Sequence, residues 1–182
     1  LEKYLNEKEK NFNVASQKDQ DQIDDLSDQI KKLGGKPNTS SSDKKTIIKE
    51  LSKQLDVLNV KNVLGDKNKN IIKDENINNI KIRFQKIIDL SPKDLRKLVD
   101  EGKNYLKEGI VIVCASKDDK VGLAVGVTNS LTNDYDAVQL VKVGSEIIGG
   151  KGGGGRKDFA QAGGSRKEKI DEAFKKIRTL IK

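Results

Sequence analysis

Residues 149–164 read GGKGGGGRKDFAQAGG and place Lys151, Arg156 and Lys157 in or beside a run holding eight of the chain's sixteen glycines. Successive backbone N–H groups in a concave glycine loop, flanked by cations, suit a phosphate or another anion. A nucleotide-binding loop of the Walker type needs Ser or Thr directly after its lysine, and here Gly152 follows Lys151. The dinucleotide pattern G-x-G-x-x-G is met by Gly150, Gly152 and Gly155, but it should follow a strand and open a helix. Here the run follows a helical pattern and leads into KDFAQA.

Two readings of the residues stand side by side. In the first, the run faces nucleic-acid phosphate. Lys151, Gly152, Gly153, Gly154, Gly155, Arg156 and Lys157 supply main-chain donors and charge, and Gln161 reaches a sugar or base edge. Arg166 and Lys167 add charge at the start of the next helix. In the second, the glycines let helices and sheet approach closely and the lysines are merely solvated.

The whole chain narrows the chemistry further. Its 182 residues carry 36 lysines and arginines against 28 acids, a formal charge of +8 that suits a polyanionic partner. Asparagine and isoleucine are abundant beside lysine, a set that an AT-rich genome favours; glycine codons are GC-rich, so the run escapes that explanation. With no histidine and one cysteine, Cys114, the usual zinc spacings, a Ser-His-acid triad and a Cys-His pair are excluded. No catalytic or metal-ligating residue is expected. No apolar run is long enough to cross a membrane and LEKYLNEKEK is no signal peptide, so a soluble, cytoplasmic protein is expected. The absence of methionine predicts a piece of a longer polypeptide.

The elements that must position the run follow from periodicity. Residues 1–33 read as a long, mostly solvated helix, with Ile23, Leu26, Ile30 and Leu33 as its apolar stripe and Glu2, Glu9, Ser16 and Asp19 in the same registers further back. GGKPNTSSSD, residues 34–43, is a turn or flexible linker, and Ile48, Leu51, Leu55 and Leu58 stripe a second helix ending near Gly65. A helical hairpin over 1–65 is predicted, then a patternless connector over 66–78, then an α/β nucleic-acid-binding subdomain with a small mixed sheet over 79–182.

Within the last, Ile80, Ile82 and Phe84 alternate as a half-buried strand. Ser91 and Pro92 open a helix facing inward through Leu95, Leu98, Val99, Gly102 and Leu106. IVIVCA (110–115) and VGLAVGV (121–127) form a hairpin of buried strands, with Cys114 a small buried hydrophobe. Ala137, Leu140, Val141, Gly144, Ile147 and Ile148 mark a helix. Ser165-Arg166-Lys167-Glu168 reads as a capping box for a last helix with Ile170, Ala173, Phe174, Ile177 and Ile181 inside. Between two such helices the glycine run is expected to be an ordered loop.

GGKGGGGRKDFAQAGG resembles the signature GGKGGGRPDMAQAGG near the C-terminus of alanyl-tRNA synthetases, and KVGLAVGVTNSLT before it resembles that family's preceding strand and turn. The likeness covers about residues 79–182. It implies a C-terminal domain of an alanine–tRNA ligase: a helical part joined to a small α/β domain also found in DHH-family phosphoesterases. Such a domain has no aminoacylation chemistry of its own. It binds the outer corner, or elbow, of tRNA, with alanine tRNA the expected partner, and in some members it contributes to a homodimer. ATP, Mg and Zn would belong to other domains of the parent enzyme.

The matching positions are Gly149, Gly150, Lys151, Gly152 to Gly155, Arg156, Asp158, Ala160, Gln161, Ala162, Gly163 and Gly164. The run departs from the signature by one extra glycine, by Lys157 in place of proline and by Phe159 in place of methionine. Two other functions compete. The substrate-binding end of a DHH-type phosphoesterase would usually carry a histidine in its glycine motif and lack AQAGG. A purely structural oligomerisation module would use the helical hairpin alone.

Overall fold

The computed structural model describes residues 2–182 and divides into two compact units, one running to Asn62 and the other from Val63 to Lys182. In the first, α1 (Glu2–Lys32) and α2 (Lys44–Gly65) pack through Leu26, Ile30 and Leu51, ringed by Ile23, Ile47, Ile48, Leu55 and Leu58. Phe12 and Val14, further back on α1, stay exposed, as the polar residues in the stripe's earlier registers lead one to expect. Gly34, at φ +79°, turns the chain out of α1, and the Gly35 N–H closes onto the Ile30 carbonyl. Asp43 then caps α2 through the Thr46 N–H at 3.0 Å.

The segment between them differs from a flexible linker. Its Ser40 donates to Glu50 from both N–H and hydroxyl, and the Asn38 N–H donates to Gln54, so the segment is laid along α2. Polar side chains that bond a neighbouring helix look, in sequence, the same as polar side chains that face water.

The second unit is the mixed α/β structure that the alternating patterns predict. Six strands, β1 (Asn70–Ile77), β2 (Ile80–Ile88), β3 (Ile110–Lys117), β4 (Lys120–Val127), β5 (Gly153–Arg156) and β6 (Phe159–Gly164), form one sheet in the order β1-β2-β3-β4-β6-β5. Only the β2–β3 pair is parallel. A parallel pair needs a crossover, and α3 (Leu95–Leu106) supplies it.

α3 packs on one face of the sheet, burying all five of its expected inward residues over the small side chains of β4. The large residues of β4, Val121, Leu123, Val125 and Val127, point to the other face. There they join Leu140 and Val141 of α4 (Ala137–Ile147) and Ile170, Ala173 and Ile177 of α5 (Ile170–Arg178) in the main core. Alternation of bulk along one strand therefore assigns one helix to one face and two to the other.

Residues 70–77, expected to be connector, form β1. The run NIIKDENI has no clean alternation, but Asn78 and Asn79 adopt φ of +51° and +68°, and that tight turn folds β1 back onto β2 with Ile77 opposite Ile80. The Asn-Asn pair was the available signal.

β3 is buried on both faces, and Cys114 within it has no exposed surface. Burial pushes its thiol up to about 12, which leaves little nucleophilic thiolate at neutral pH. A thiol reagent is therefore expected to leave the native protein unlabelled at pH 8 and to label one site per chain in denaturant, as mass spectrometry would read.

Candidate nucleic-acid interface

The glycine run is a β-hairpin with an ordered entry, and not a loop. α4 ends where the Gly149 and Gly150 N–H groups donate to the carbonyls of Glu146 and Ser145. The chain then enters β5, whose residues pair with β6 in the register Gly153–Ala162, Gly154–Gln161, Gly155–Ala160 and Arg156–Phe159. AQAGG is thus a strand, bonded on its far side to β4. Glycine has poor strand propensity, and pairing with β6 overrides it here.

Packing demands at least two of the glycines. A Cβ on Gly150 would run into the Gly163 carbonyl and the Ser145 hydroxyl, and one on Gly155, at φ +152°, would strike the Phe159 carbonyl. Gly152 and Gly154, in contrast, face open space.

The hairpin's turn is pinned from outside. The Val127 N–H donates to the Asp158 carbonyl at 2.9 Å and the Ala137 N–H to the Lys157 carbonyl at 3.0 Å. Arg156 turns back on Asp158, with Nε 3.1 Å from one carboxylate oxygen and a terminal nitrogen 3.4 Å from the other. That guanidinium, helped by Lys103, holds the Asp158 carboxyl below its usual range, so the carboxylate stays ionised at neutral pH. Arg156 therefore keeps only part of its fork for a ligand, although its side chain is 70% exposed. Lys157, beside it, is exposed.

The other expected residues gather at the hairpin's opposite end. Lys151 is exposed just before β5, and the Arg166 side chain lies across Gly149, which has no Cβ to displace it. Lys167 is exposed, with its ammonium 3.5 Å from the Asp118 carbonyl. From Gly153 to Arg156 is three residue steps, about 10 Å in a strand. Two basic groups are thus separated by the length of a short hairpin, with exposed Gly154, Gln161 and Gly163 between them.

The capping box does not form. Ser165 and Arg166 both use their N–H groups on the Ile148 carbonyl, at 3.0 and 2.9 Å, and that anchor delays the helix. A 3₁₀ turn at Lys167–Lys169 comes first, with no side-chain cap, and the first turn of α5 carries Asp171 and Glu172. Arg166 and Lys167 therefore precede α5 and do not lie in its first turn, and its acidic start adds no anion site.

Sequence reasoning missed two cations beside the hairpin. Arg96 of α3 lies over the Phe159 ring, 5.0 Å from its centre. Lys103, two turns on, runs its stem past Gly126 and sets its ammonium 3.4 Å from the Asp158 carbonyl. Their places outside the buried stripe of α3 were legible, but which flank meets β6 depends on the strand order.

Among the described residues no group of three or more His, Cys, Asp and Glu is placed to hold a metal ion, and no helix is long and apolar enough to cross a membrane.

A family model described as the DHHA1 domain matches residues 79–182. An alanine–tRNA ligase of Parvibaculum lavamentivorans is 48% identical over 103 residues, which cover 56% of this chain and 12% of the ligase. One from Fusobacterium nucleatum subsp. nucleatum is 42% identical over 134 residues, 74% of this chain and 15% of that ligase. The crystal structure of the C-Ala domain from Aquifex aeolicus alanyl-tRNA synthetase superposes with a TM-score of 0.56 at 28% identity, over 60% of this chain and 97% of that one. The chain spans only 12% and 15% of the length of these two curated relatives.

Proposed function

The chain belongs to the DHHA1-domain family, and from that membership we propose that it serves as the tRNA-contacting C-terminal domain of an alanine–tRNA ligase. The observation that carries this is the β5–β6 hairpin, which holds the matched signature and presents Lys151, Arg156, Lys157, Arg166 and Lys167 around a strip of exposed backbone. The five cations neutralise phosphates, and the glycine backbone lets the nucleic acid come close. Gln161, exposed at mid-strand, takes a ribose hydroxyl or a base edge.

Alanine tRNA is the partner we propose, with its elbow as the part bound and the cytoplasm as the setting. Aminoacylation and editing, with their ATP, Mg and Zn, belong in this reading to other parts of the ligase. We place homodimerisation, as part of the same reading, in the helical unit, where α1 keeps Phe12 and Val14 exposed.

A second reading has its own observation: the close approaches at Gly150 and Gly155 give the run an architectural use. The two coexist, because Gly154 meets nothing that requires glycine by packing and does not have a positive φ. Binding of full-length alanine tRNA is compared with binding of a minihelix that ends before the elbow. The full tRNA is expected to bind at least tenfold more tightly, about 1.4 kcal/mol. Equal affinities would contradict elbow contact.

A further inference from the structure

β6 and β5 extend the sheet beyond α3, and the face they turn toward α3's side is bare. Gln161 stands in register with Ala124, and Gly163 with Gly122, residues whose side of β4 is the one under α3. Gly154 pairs with Gln161, and all three are exposed. The opposite face of the same strands is covered by α4, with Ala160 in the core.

Along the rim of the bare face stand Arg96, Lys103 and Arg156; Lys103 and Arg156 flank the Asp158 carboxylate, and exposed Asp100 shares the α3 flank between Arg96 and Lys103. Arg96 and Lys103 are seven residues apart, about 10 Å along the helix. Neither is needed to close the core, which α3 completes with Leu95, Leu98, Val99, Gly102 and Leu106.

We propose that RNA lies across this bare face, on the side of α3 and away from α4 and α5, with Arg96 and Lys103 as a second row of phosphate contacts facing Arg156 across the Gln161 strip. The proposal rests on the tRNA-binding reading above and adds a direction to it. The hairpin's cations alone allow RNA on either face or on the open edge of β5, whereas the α3 cations stand on one side only. The Arg96 guanidinium lies over Phe159, 5.0 Å from the ring's centre, and is exposed to a phosphate on that side. Lys103 keeps its apolar stem packed past Gly126, its side chain 20% exposed, and shares its ammonium with the Asp158 carbonyl and carboxylate, so it offers a phosphate only part of its charge.

The test measures tRNA affinity against salt for the whole chain carrying Arg96→Gln with Lys103→Gln, and for a control pair on the other face, Lys142→Gln with Lys176→Gln. The α3 pair is expected to lower affinity about tenfold near 0.1 M salt and to flatten the log–log salt slope by about 1.5 to 2. The control pair is expected to change the slope by less than about 0.5. Arg96→Lys, which keeps the charge, should retain the parent slope and guards against a folding defect from uncovering Phe159. Loss of binding in the hairpin variants with none in the α3 pair would overturn this placement and leave the tRNA reading intact. Equal losses from the α3 and control pairs would overturn it too, as a field with no preferred face. No salt-dependent binding in the parent protein would sink both.

Discussion

Replacing Gly150 by alanine lowers the thermal midpoint of the second unit by about 2–12 °C, while Gly154→Ala shifts it by less than about 2 °C. The contrast follows from what each new methyl group meets. At Gly150 it meets the Gly163 carbonyl and the Ser145 hydroxyl, while the Gly150 N–H is itself tied to the Ser145 carbonyl at 2.8 Å. Neither neighbour can yield cheaply: Gly163 is held in β6 opposite Gly122, and the Ser145 hydroxyl donates to the Gly152 carbonyl. Overpacking of this kind costs about 1–3 kcal/mol, which for a chain of this size moves a midpoint by about 2–4 °C per kcal/mol. At Gly154 the methyl group enters open space. Calorimetry or thermal circular dichroism of the two variants reads the difference, and equal midpoints would show that the hairpin yields where the geometry says it cannot.

The second large effect is on binding. Lys151→Gln, Arg156→Gln and Lys157→Gln together are expected to weaken tRNA binding about 10- to 100-fold near 0.1 M salt and to flatten the salt slope by about 2 to 3. The loss should fall short of three independent contacts, because Arg156 is already shared with Asp158. Removing that arginine also leaves Asp158 with Lys103 at 4.0 Å as its remaining cation, so the local charge drops and one side of the turn loosens. Thermal midpoints of the triple variant should stay close to the parent's, since Lys151 and Lys157 are exposed and the turn's backbone bonds to Val127 and Ala137 remain. A lost midpoint with unchanged affinity would reverse the account and favour packing as the run's sole use.

Much of this fold could be read in the residues. α3 shows its five inward positions through spacing alone, and the alternation of large and small residues in VGLAVGV carried real information, since it separates the α3 face of the sheet from the α4–α5 face. The unread parts share a cause. β1 and β5 are edge strands, and each exists because a better-patterned neighbour offers it a ladder of hydrogen bonds. NIIKDENI and GGGR carry little strand propensity of their own. The start of α5 failed for a related reason. Ser165 looked like a cap, but its N–H and that of Arg166 were claimed by Ile148, a residue seventeen positions earlier that local sequence cannot bring near.

The site was legible in the same proportion. Lys151, Arg156, Lys157 and Gln161 share one ordered segment as the motif suggested, but that it is a hairpin, with its cations in two clusters at its ends and Gln161 between them, follows only from the pairing register. Arg96 and Lys103 became visible when strand order placed β6 beside β4, under the flank of α3.

The central claim is that the hairpin and its neighbours bind tRNA through an additive set of phosphate contacts. Fluorescence titration of alanine tRNA with the protein at salt concentrations from 50 to 300 mM tests it most directly. Neutralising about five phosphates through the hairpin's cations predicts a slope of log K against log salt of about −3.5 to −4.5, and the two α3 contacts would steepen it to about −5 to −6. A slope near zero, with binding present or absent, would contradict it.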